Sequence, residues 1–502
     1  MVTLRISEKS LLKHDVKAYI FFIQENASCE GDLLEAQKIF FPGLSLLFKE
    51  RGFTGKRSDF LVVPISKDKT IIHLICAGIG SPDSTGFIPI EQYRRAVGSV
   101  VNALMKHKCS TAAMKAPVAE LFDVSSEYLA AQTCSIAGMA SYRFDEFITD
   151  KQRKEDIEIT IDVVTNNPDD ALCGVAKSEV ISSAVNTARY WVDLPPCNLT
   201  PVELADKAKR IAKAHGMNIT VFDEQEVKQM GMGGLTAVSA GSDRDCQFVV
   251  MEYHADKNAP TLGFVGKGIT FDAGGLSLKP SSAMETMKED MAGAAAVISA
   301  MHAIAQLKAP VNVIACVPLA ENLPSDKAVK PGDIITFYNG KTAEVKNTDA
   351  EGRLILADAL AYAIKHFKLD ALVDVATLTG SCQHALGPFF SGLFSNHDDL
   401  VDNIYDSSCS SGDRVWRLPL SEDYKLAIKS NVADISNTGS RQYLAGAITA
   451  AWFLAEFVGD VAWAHIDIAG TAFDVPDISY YGKGATGAPV RLLVDLAMNW
   501  KK

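Results

Sequence analysis

Val265–Gly275 reads VGKGITFDAGG, and Asn347–Leu354 reads NTDAEGRL before running directly into ILADALAYAI. The first stretch leaves a short apolar run, Leu262–Val265, and enters glycine-flanked turns where backbone can pass close to a bound ion. The second is an irregular segment that meets an apolar helix predicted over Arg353–Phe367. Strand, glycine loop and helix in this order belong to an α/β fold. In open α/β sheets, ligands bind beyond the carboxyl ends of the strands.

Working outward, Gln247–Tyr253, Val311–Val317, Ala371–Val375 and Val461–Ile468 read as buried strands. Helical patterns cover Thr286–Leu307, Ala447–Phe457 and Pro489–Asn499. Residues 191–502 are therefore expected to form the larger, catalytic α/β domain, with a central mixed sheet flanked by helices. Upstream, Lys17–Gln24, Phe60–Ile65, Thr70–Ala77 and Asp156–Val164 are strand-like, with helices predicted at Leu33–Phe48, Glu91–Lys108 and Ser125–Ser141. That alternation predicts a smaller N-terminal α/β domain over 1–165 with a mostly parallel sheet. It carries no phosphate-cradling glycine fingerprint. The NNPDD turn at 166–170 opens a linker helix over 166–190, and Pro195–Pro196 breaks the chain after it. Thr200, Pro201 and Glu203 spell a capping box at the next helix start.

The 502 residues are 48% hydrophobic and 22% charged, enough apolar material for large cores and too much for a disordered chain. Lys and Arg number 49 against 61 Asp and Glu, a net charge of −12. Such a surface disfavours nucleic acid or an anionic membrane as the main partner. The ten cysteines form no CxxC pair, which argues against a zinc ribbon and for small buried side chains of a reducing compartment. The N-terminus is charged too early for a signal peptide, and apolar windows such as Ala292–Ala305 are too short to span a bilayer. A cytoplasmic location is expected.

The familiar catalytic motifs are missing: no HExxH, no GxSxG, no Walker loop and no paired histidines. Any metal site must then be built from carboxylates. Asp272 lies in the first glycine loop with Lys267 and Lys279, and Asp290 starts an Ala-rich helix. Asp349 and Glu351 are two apart before the second helix, and Arg353 follows. Each has a plainer reading. Asp290 is also what a helix dipole favours, Asp349 and Glu351 could be caps, and a lysine in a glycine loop is usually solvated. Taken together, four carboxylates in one place repel unless cations neutralise them. Two divalent ions do so, and oxygen ligands with one nitrogen suit Zn²⁺ or Mn²⁺. Lys267 could be that nitrogen only if its pKa were depressed.

These two blocks closely resemble the leucyl aminopeptidase (cytosol aminopeptidase) family, and DLPPCNLTP (193–201), VDVATLTG (373–380) and AHIDIAG (464–470) are also similar to family segments. The N-terminal half is similar only in length and α/β character. The resemblance implies one metal at Lys267, Asp272, Asp290 and Glu351, and a second at Asp272, Asp349 and Glu351, with Asp349 also using its backbone carbonyl. It implies that Lys279 and Arg353 are catalytic without being ligands, with a bicarbonate held at Arg353 as base. It further implies a homohexamer acting on peptides with a free N-terminal amine, preferring leucine and other apolar residues there. A water bridging the metals would be the nucleophile. Met287, Thr377, Leu378 and Gly380 are expected walls of the side-chain pocket, although Met287 also reads as helix core. Two other readings stand beside this one: a two-metal phosphoesterase, and a DNA-binding protein whose N-terminal basic spots (Lys49–Lys56, Arg94–Arg95) would do the binding.

Overall fold

A computed structural model describes residues 2–150 and 157–501. Its chain divides into two units, Met1–Asn186 with Asp477–Gly482, and Thr187–Pro476 with Lys483–Lys502. In the first unit the strands are β1 (Val2–Ser7), β2 (Ala18–Gln24), β3 (Phe60–Lys67), β4 (Thr70–Gly80), β5 (Thr111–Lys115) and β6 (Ile159–Val164). Alternation decides β6: Ile159, Ile161 and Val163 are buried while the residues between them are half-buried. Its predicted start at Asp156 lies outside the described residues. The sheet order is β1-β6-β5-β2-β4-β3. All pairs are parallel except the β3–β4 hairpin, so the sheet is mostly parallel with one antiparallel edge.

The helix expected over Leu33–Phe48 is two, α1 (Gly31–Phe40) and α2 (Leu44–Arg51). Pro42 lies between them, and its ring and missing N–H end the first. Helices α3 (Ile90–Lys106) and α4 (Ser126–Ala140) follow the predicted limits within a few residues, Ser125 capping α4 through its side chain. The division between the units falls inside one continuous helix, α5 (Pro168–Asp193).

In the second unit a 3-10 turn (Pro196–Asn198) leads to α6 (Pro201–His215), where Thr200 and Glu203 exchange both bonds of the capping box. Thr200→Ala should lower stability by about 1 kcal/mol, because the N–H of Glu203 loses its fixed acceptor. The effect should appear as faster amide exchange confined to the first turn of α6. Unchanged exchange there would mean that the cap is energetically silent.

The strands of this unit are β7 (Asn218–Phe222), β8 (Gln247–Tyr253), β9 (Thr261–Gly266), β10 (Gly268–Asp272), β11 (Asn312–Asn322), β12 (Ile334–Thr336), β13 (Thr342–Glu344), β14 (Ala371–Ala376), β15 (Ser391–Ser395), β16 (Val415–Arg417), β17 (Ile435–Ser436) and β18 (Trp463–Asp467). Nine form one mixed sheet, β16-β15-β18-β14-β9-β11-β8-β7, with β10 paired to β11; β12, β13 and β17 form a small second sheet. Strands β18, β14, β9, β11 and β10 are mutually parallel, so their carboxyl ends share one edge. Three of them, β11, β14 and β18, are buried along their whole length, as expected of strands covered on both faces.

Two expectations change here. The helical run Met287–Leu307 has 21 residues, long enough by length and composition to cross a bilayer, rather than too short. Most of it is buried, and its apolar character comes from packing all round against the sheet. The cysteines are all unpaired, but only six are buried; Cys173, Cys197 and Cys409 are exposed.

Candidate metal centre

The shared edge of the parallel strands gathers the first chemical groups. Lys267 is the residue after β9, Asp272 ends β10, Asn322 ends β11, Thr377 follows β14 and Asp467 ends β18. The sequence reading took Val265–Gly275 as a strand running out into turns. A bulge in the β10–β11 pairing between Ile269 and Phe271 instead carries a second short strand through it. Asp290 comes from the 3-10 turn Met287–Met291 that precedes the core helix Ala292–Leu307. Glu351 stands immediately before the helix Gly352–His366, with Asp349 two residues earlier on irregular backbone.

Asp272, Asp290 and Glu351 are buried, with carboxylate oxygens within 4.8 Å of one another. Lys267 Nζ lies 2.6 Å from Asp290 Oδ1, 2.9 Å from Glu351 Oε1 and 2.8 Å from the carbonyl of Thr377. Lys279 Nζ is 2.8 Å from Asp272 Oδ2 and 2.6 Å from Asp349 Oδ1. Asp349 therefore stands outside the close trio and is tied to it through Lys279. The floor is dry around Lys267, Asp290 and Glu351, whereas the Asp349 and Lys279 side is only partly buried.

Crowded carboxylates compete for protons here. Burial, reinforced by Glu351, pushes Asp272 up to about 6 against the pull of Lys279 and Lys267. Burial also lifts Asp290 well above the ordinary range, and Asp349 more modestly. Glu351 is the exception: burial works against its charge, but Lys267 and Lys279 hold it below its usual value. Burial alone would lower the pKa of Lys267, yet Asp290, Glu351 and Asp272 outweigh it and the pKa rises. The depressed Lys267 expected from the sequence thus requires added positive charge beside it, because these carboxylates by themselves keep it an ammonium. Lys279 is raised in the same way, by Asp272 first, against burial.

The remaining sequence-based candidates lie around this floor. Arg353 is buried and donates from Nη1 to the carbonyl of Asn437 at 2.8 Å, while its Nε has no hydrogen-bond partner. Burial lowers its pKa to about 10, opposed by Glu351 and Asp467. Thr377 donates from Oγ1 to Asp290 Oδ1 at 2.8 Å. Leu378 is half-buried, and Gly380, exposed, starts the helix Gly380–Leu386. Met287 is half-buried at the start of the 3-10 turn rather than in helix core.

Four supporting residues were not singled out in the sequence. Asn322 donates 2.8 Å to Asp272 Oδ1 and 3.0 Å to the carbonyl of Thr348, fixing the two motif blocks to each other. Thr348 in turn donates to the carbonyl of Gly274 and accepts from the N–H of Ser277. Asn437 accepts from the N–H of Lys346 and donates to the carbonyl of Asn347. Asp467 receives the N–H groups of Leu378 and Thr379 and the hydroxyl of Thr379, which sets the loop carrying Thr377. The available signal was a polar residue closing an apolar strand, as Asn322 and Asp467 both do.

The donor set fits divalent cations. Asp290 Oδ2 and Glu351 Oε2 are buried with no hydrogen-bond partner, an arrangement that costs free energy unless something positive meets them. Hard carboxylate oxygens with one amine nitrogen match Mn²⁺ or Zn²⁺ better than softer ions.

Comparison with known proteins places this geometry. Residues 186–494 match the cytosol aminopeptidase family, catalytic domain, and residues 21–151 match the N-terminal domain of the same family. The probable cytosol aminopeptidase of Chlorobaculum tepidum is 42% identical over 515 residues, covering 99% of each chain. That of Roseiflexus castenholzii is 43% identical over 416 residues, covering 82% of this chain and 84% of its own. Among solved structures, a point variant of tomato leucine aminopeptidase superposes with a TM-score of 0.87 at 30% identity, covering 99% of this chain and 96% of that one. The bottromycin maturation enzyme BotP in complex with Mn gives 0.84 at 32% identity, covering 96% and 99%. The chain belongs to the cytosol aminopeptidase family and is a metal-dependent exopeptidase acting on peptides.

Proposed function

We propose that this exopeptidase is a two-metal aminopeptidase that removes leucine and other apolar residues from peptide N-termini. The observation that carries the reading is the buried Asp272–Asp290–Glu351 trio with Lys267 at its floor. Lys267, Asp272, Asp290 and Glu351 would hold one ion; Asp272, Glu351 and Asp349, the last also through its carbonyl, would hold the other. Mn²⁺ or Zn²⁺ bound there supplies Lewis acidity and a nucleophilic water of lowered pKa.

The protein's own groups complete the chemistry. Lys279, kept charged by Asp272 and Asp349, sits at the open side and stabilises negative charge developing on the scissile carbonyl. Arg353 is fixed by Asn437 with Nε free, and its planar fork suits a bicarbonate that would accept the proton of the attacking water. The substrate's free α-amine would be held at one of the ions, which restricts cleavage to the first residue. Met287, Thr377, Leu378 and Gly380 would line the pocket for its side chain. By likeness to the family, the enzyme would work as a cytoplasmic homohexamer.

The direct test is p-nitroaniline release from leucine p-nitroanilide by protein as isolated, stripped with chelator, and resupplied with Mn²⁺ or Zn²⁺. Activity should vanish on chelation, return with metal, and be absent on the N-acetylated substrate. A metal-replete protein inert on free-amine substrates but active on p-nitrophenyl phosphate would replace this reading with a phosphoesterase.

Metal affinity should also depend on pH in a defined direction. Asp272 near 6, Asp290 raised above its ordinary range and Lys267 raised above its own must all give up protons to become ligands. Falling pH therefore weakens binding, by about tenfold per unit for each proton displaced. Titration calorimetry in buffers of different ionisation enthalpy should show net proton release near neutrality. An affinity flat across pH 5 to 7 (roughly the span over which Asp272 titrates) would remove Asp272 from the ligand set.

A further inference from the structure

In the six-stranded sheet of the N-terminal unit, the chain leaves β2 toward the β4–β3 edge and leaves β5 toward β6 on the other side. Neighbouring parallel strands whose connections run off in opposite directions open a crevice at their carboxyl ends, a recurrent place for small ligands. A cavity of 530 Å³ lies at that place. Its walls are the end of β2, Lys115 at the end of β5 with the three residues that follow it, and the first turn of α1. The volume is in the range of small-molecule sites.

The lining specifies a ligand class. Phe21, Ile23, Leu33 and Ile79 give an apolar interior, and Glu30, Asp32 and Lys115 give a charged rim. Lys115 Nζ lies 3.3 Å from Asp32 Oδ2, so opposite charges stand side by side at the mouth. A zwitterion lies across such a pair head to tail: its ammonium meets Asp32 and Glu30, and its carboxylate meets Lys115 and the start of α1. Glu30, the N-cap of α1, makes no side-chain cap; the N–H groups of Leu33 and Leu34 bond its carbonyl, and those of Gly31 and Asp32 stand at the same helix end to meet a carboxylate. Two acids against one lysine, on a chain of net charge −12, work against a polyphosphate or nucleotide. We infer that this crevice binds an α-amino acid with an apolar side chain, free or as a short peptide. The inference is independent of the chemistry at Glu351.

The test is calorimetric titration of the full chain with L-leucine, N-acetyl-leucine, leucinamide and AMP, and of chelator-treated protein with leucyl-glycine to separate the two sources. Lys115 and Val118 are exposed, so Lys115→Ala and Val118→Trp, which fills the crevice, alter the site without touching a core. Each should weaken leucine binding at least about tenfold, and so should removal of either ligand charge. Hydrolysis of leucine p-nitroanilide should stay within about twofold in both variants. If that hydrolysis proves absent in all forms, the binding arms still decide this question alone. Leucine affinity indifferent to both variants, or AMP binding more tightly than leucine in a Lys115-dependent way, would overturn the inference.

Discussion

In Glu351→Gln, kcat/KM for leucine p-nitroanilide falls by at least about a thousandfold, the loss of about 4 kcal/mol of charge stabilisation in the transition state. Glutamine keeps the volume, so the effect isolates charge. Glu351 is the one carboxylate of the buried cluster whose pKa is held low, so it carries its negative charge most firmly. In the proposed two-metal site it would serve both ions, with Oε1 on Lys267 and Oε2 buried without a partner. The amide can still turn its oxygen to Lys267, but its NH2 then stands where Oε2 stood and cannot act as an anionic ligand. Lys267 keeps Asp290 and the Thr377 carbonyl, so the fold should survive. Metal content measured beside kcat/KM separates lost binding from lost chemistry. A folded, metal-loaded variant with activity within about tenfold of the parent would remove Glu351 from the centre of the site.

Gly352→Ala should cost at least about a hundredfold in kcat/KM without replacing any proposed ligand. Alanine is ordinarily the better helix former, by up to about 1 kcal/mol in a helix interior, so propensity alone predicts a protein no less stable. Geometry predicts the opposite for the site. A Cβ at position 352 would stand 2.5 Å from Lys267 Cε, 2.7 Å from Cδ and 2.8 Å from Nζ. Lys267 is buried among Asp290, Glu351 and Thr377 and cannot yield without leaving them. The expected signature is a large loss of activity and metal affinity with a melting temperature no higher than the parent's, because the crowding offsets the gain in helix propensity. An active Gly352→Ala enzyme would show that Lys267 does not need its observed position.

Both chemical blocks could be read from the chain because each is local: glycines, carboxylates and a lysine within a dozen residues. So could the limits of β8 and the capping box at Thr200, whose signals sit within one element. What escaped depends on contacts distant in sequence. β1 and β5 are short and owe their place to β6 and β2. Asn322, Asn437 and Asp467 become partners of the motif blocks only once the sheet order brings strand ends together. The carboxylates that keep Lys267 an ammonium could not be counted from the chain, because spacing gives neither distances nor the number of acids facing one nitrogen. Pro42 was visible, but its break was masked by apolar periodicity on both sides.

Lys267 and Lys279 bring two ammonium groups into the same enclosure as Asp272, Asp290, Asp349 and Glu351. Small zinc domains collapse only around their ion, because nothing else offsets their ligands. This scaffold carries built-in counter-charge, so a newly made chain can finish folding before it meets a metal. Shaping and loading would then be separable, so chelation should strip the proposed ions and leave the fold, which circular dichroism of the stripped protein would show.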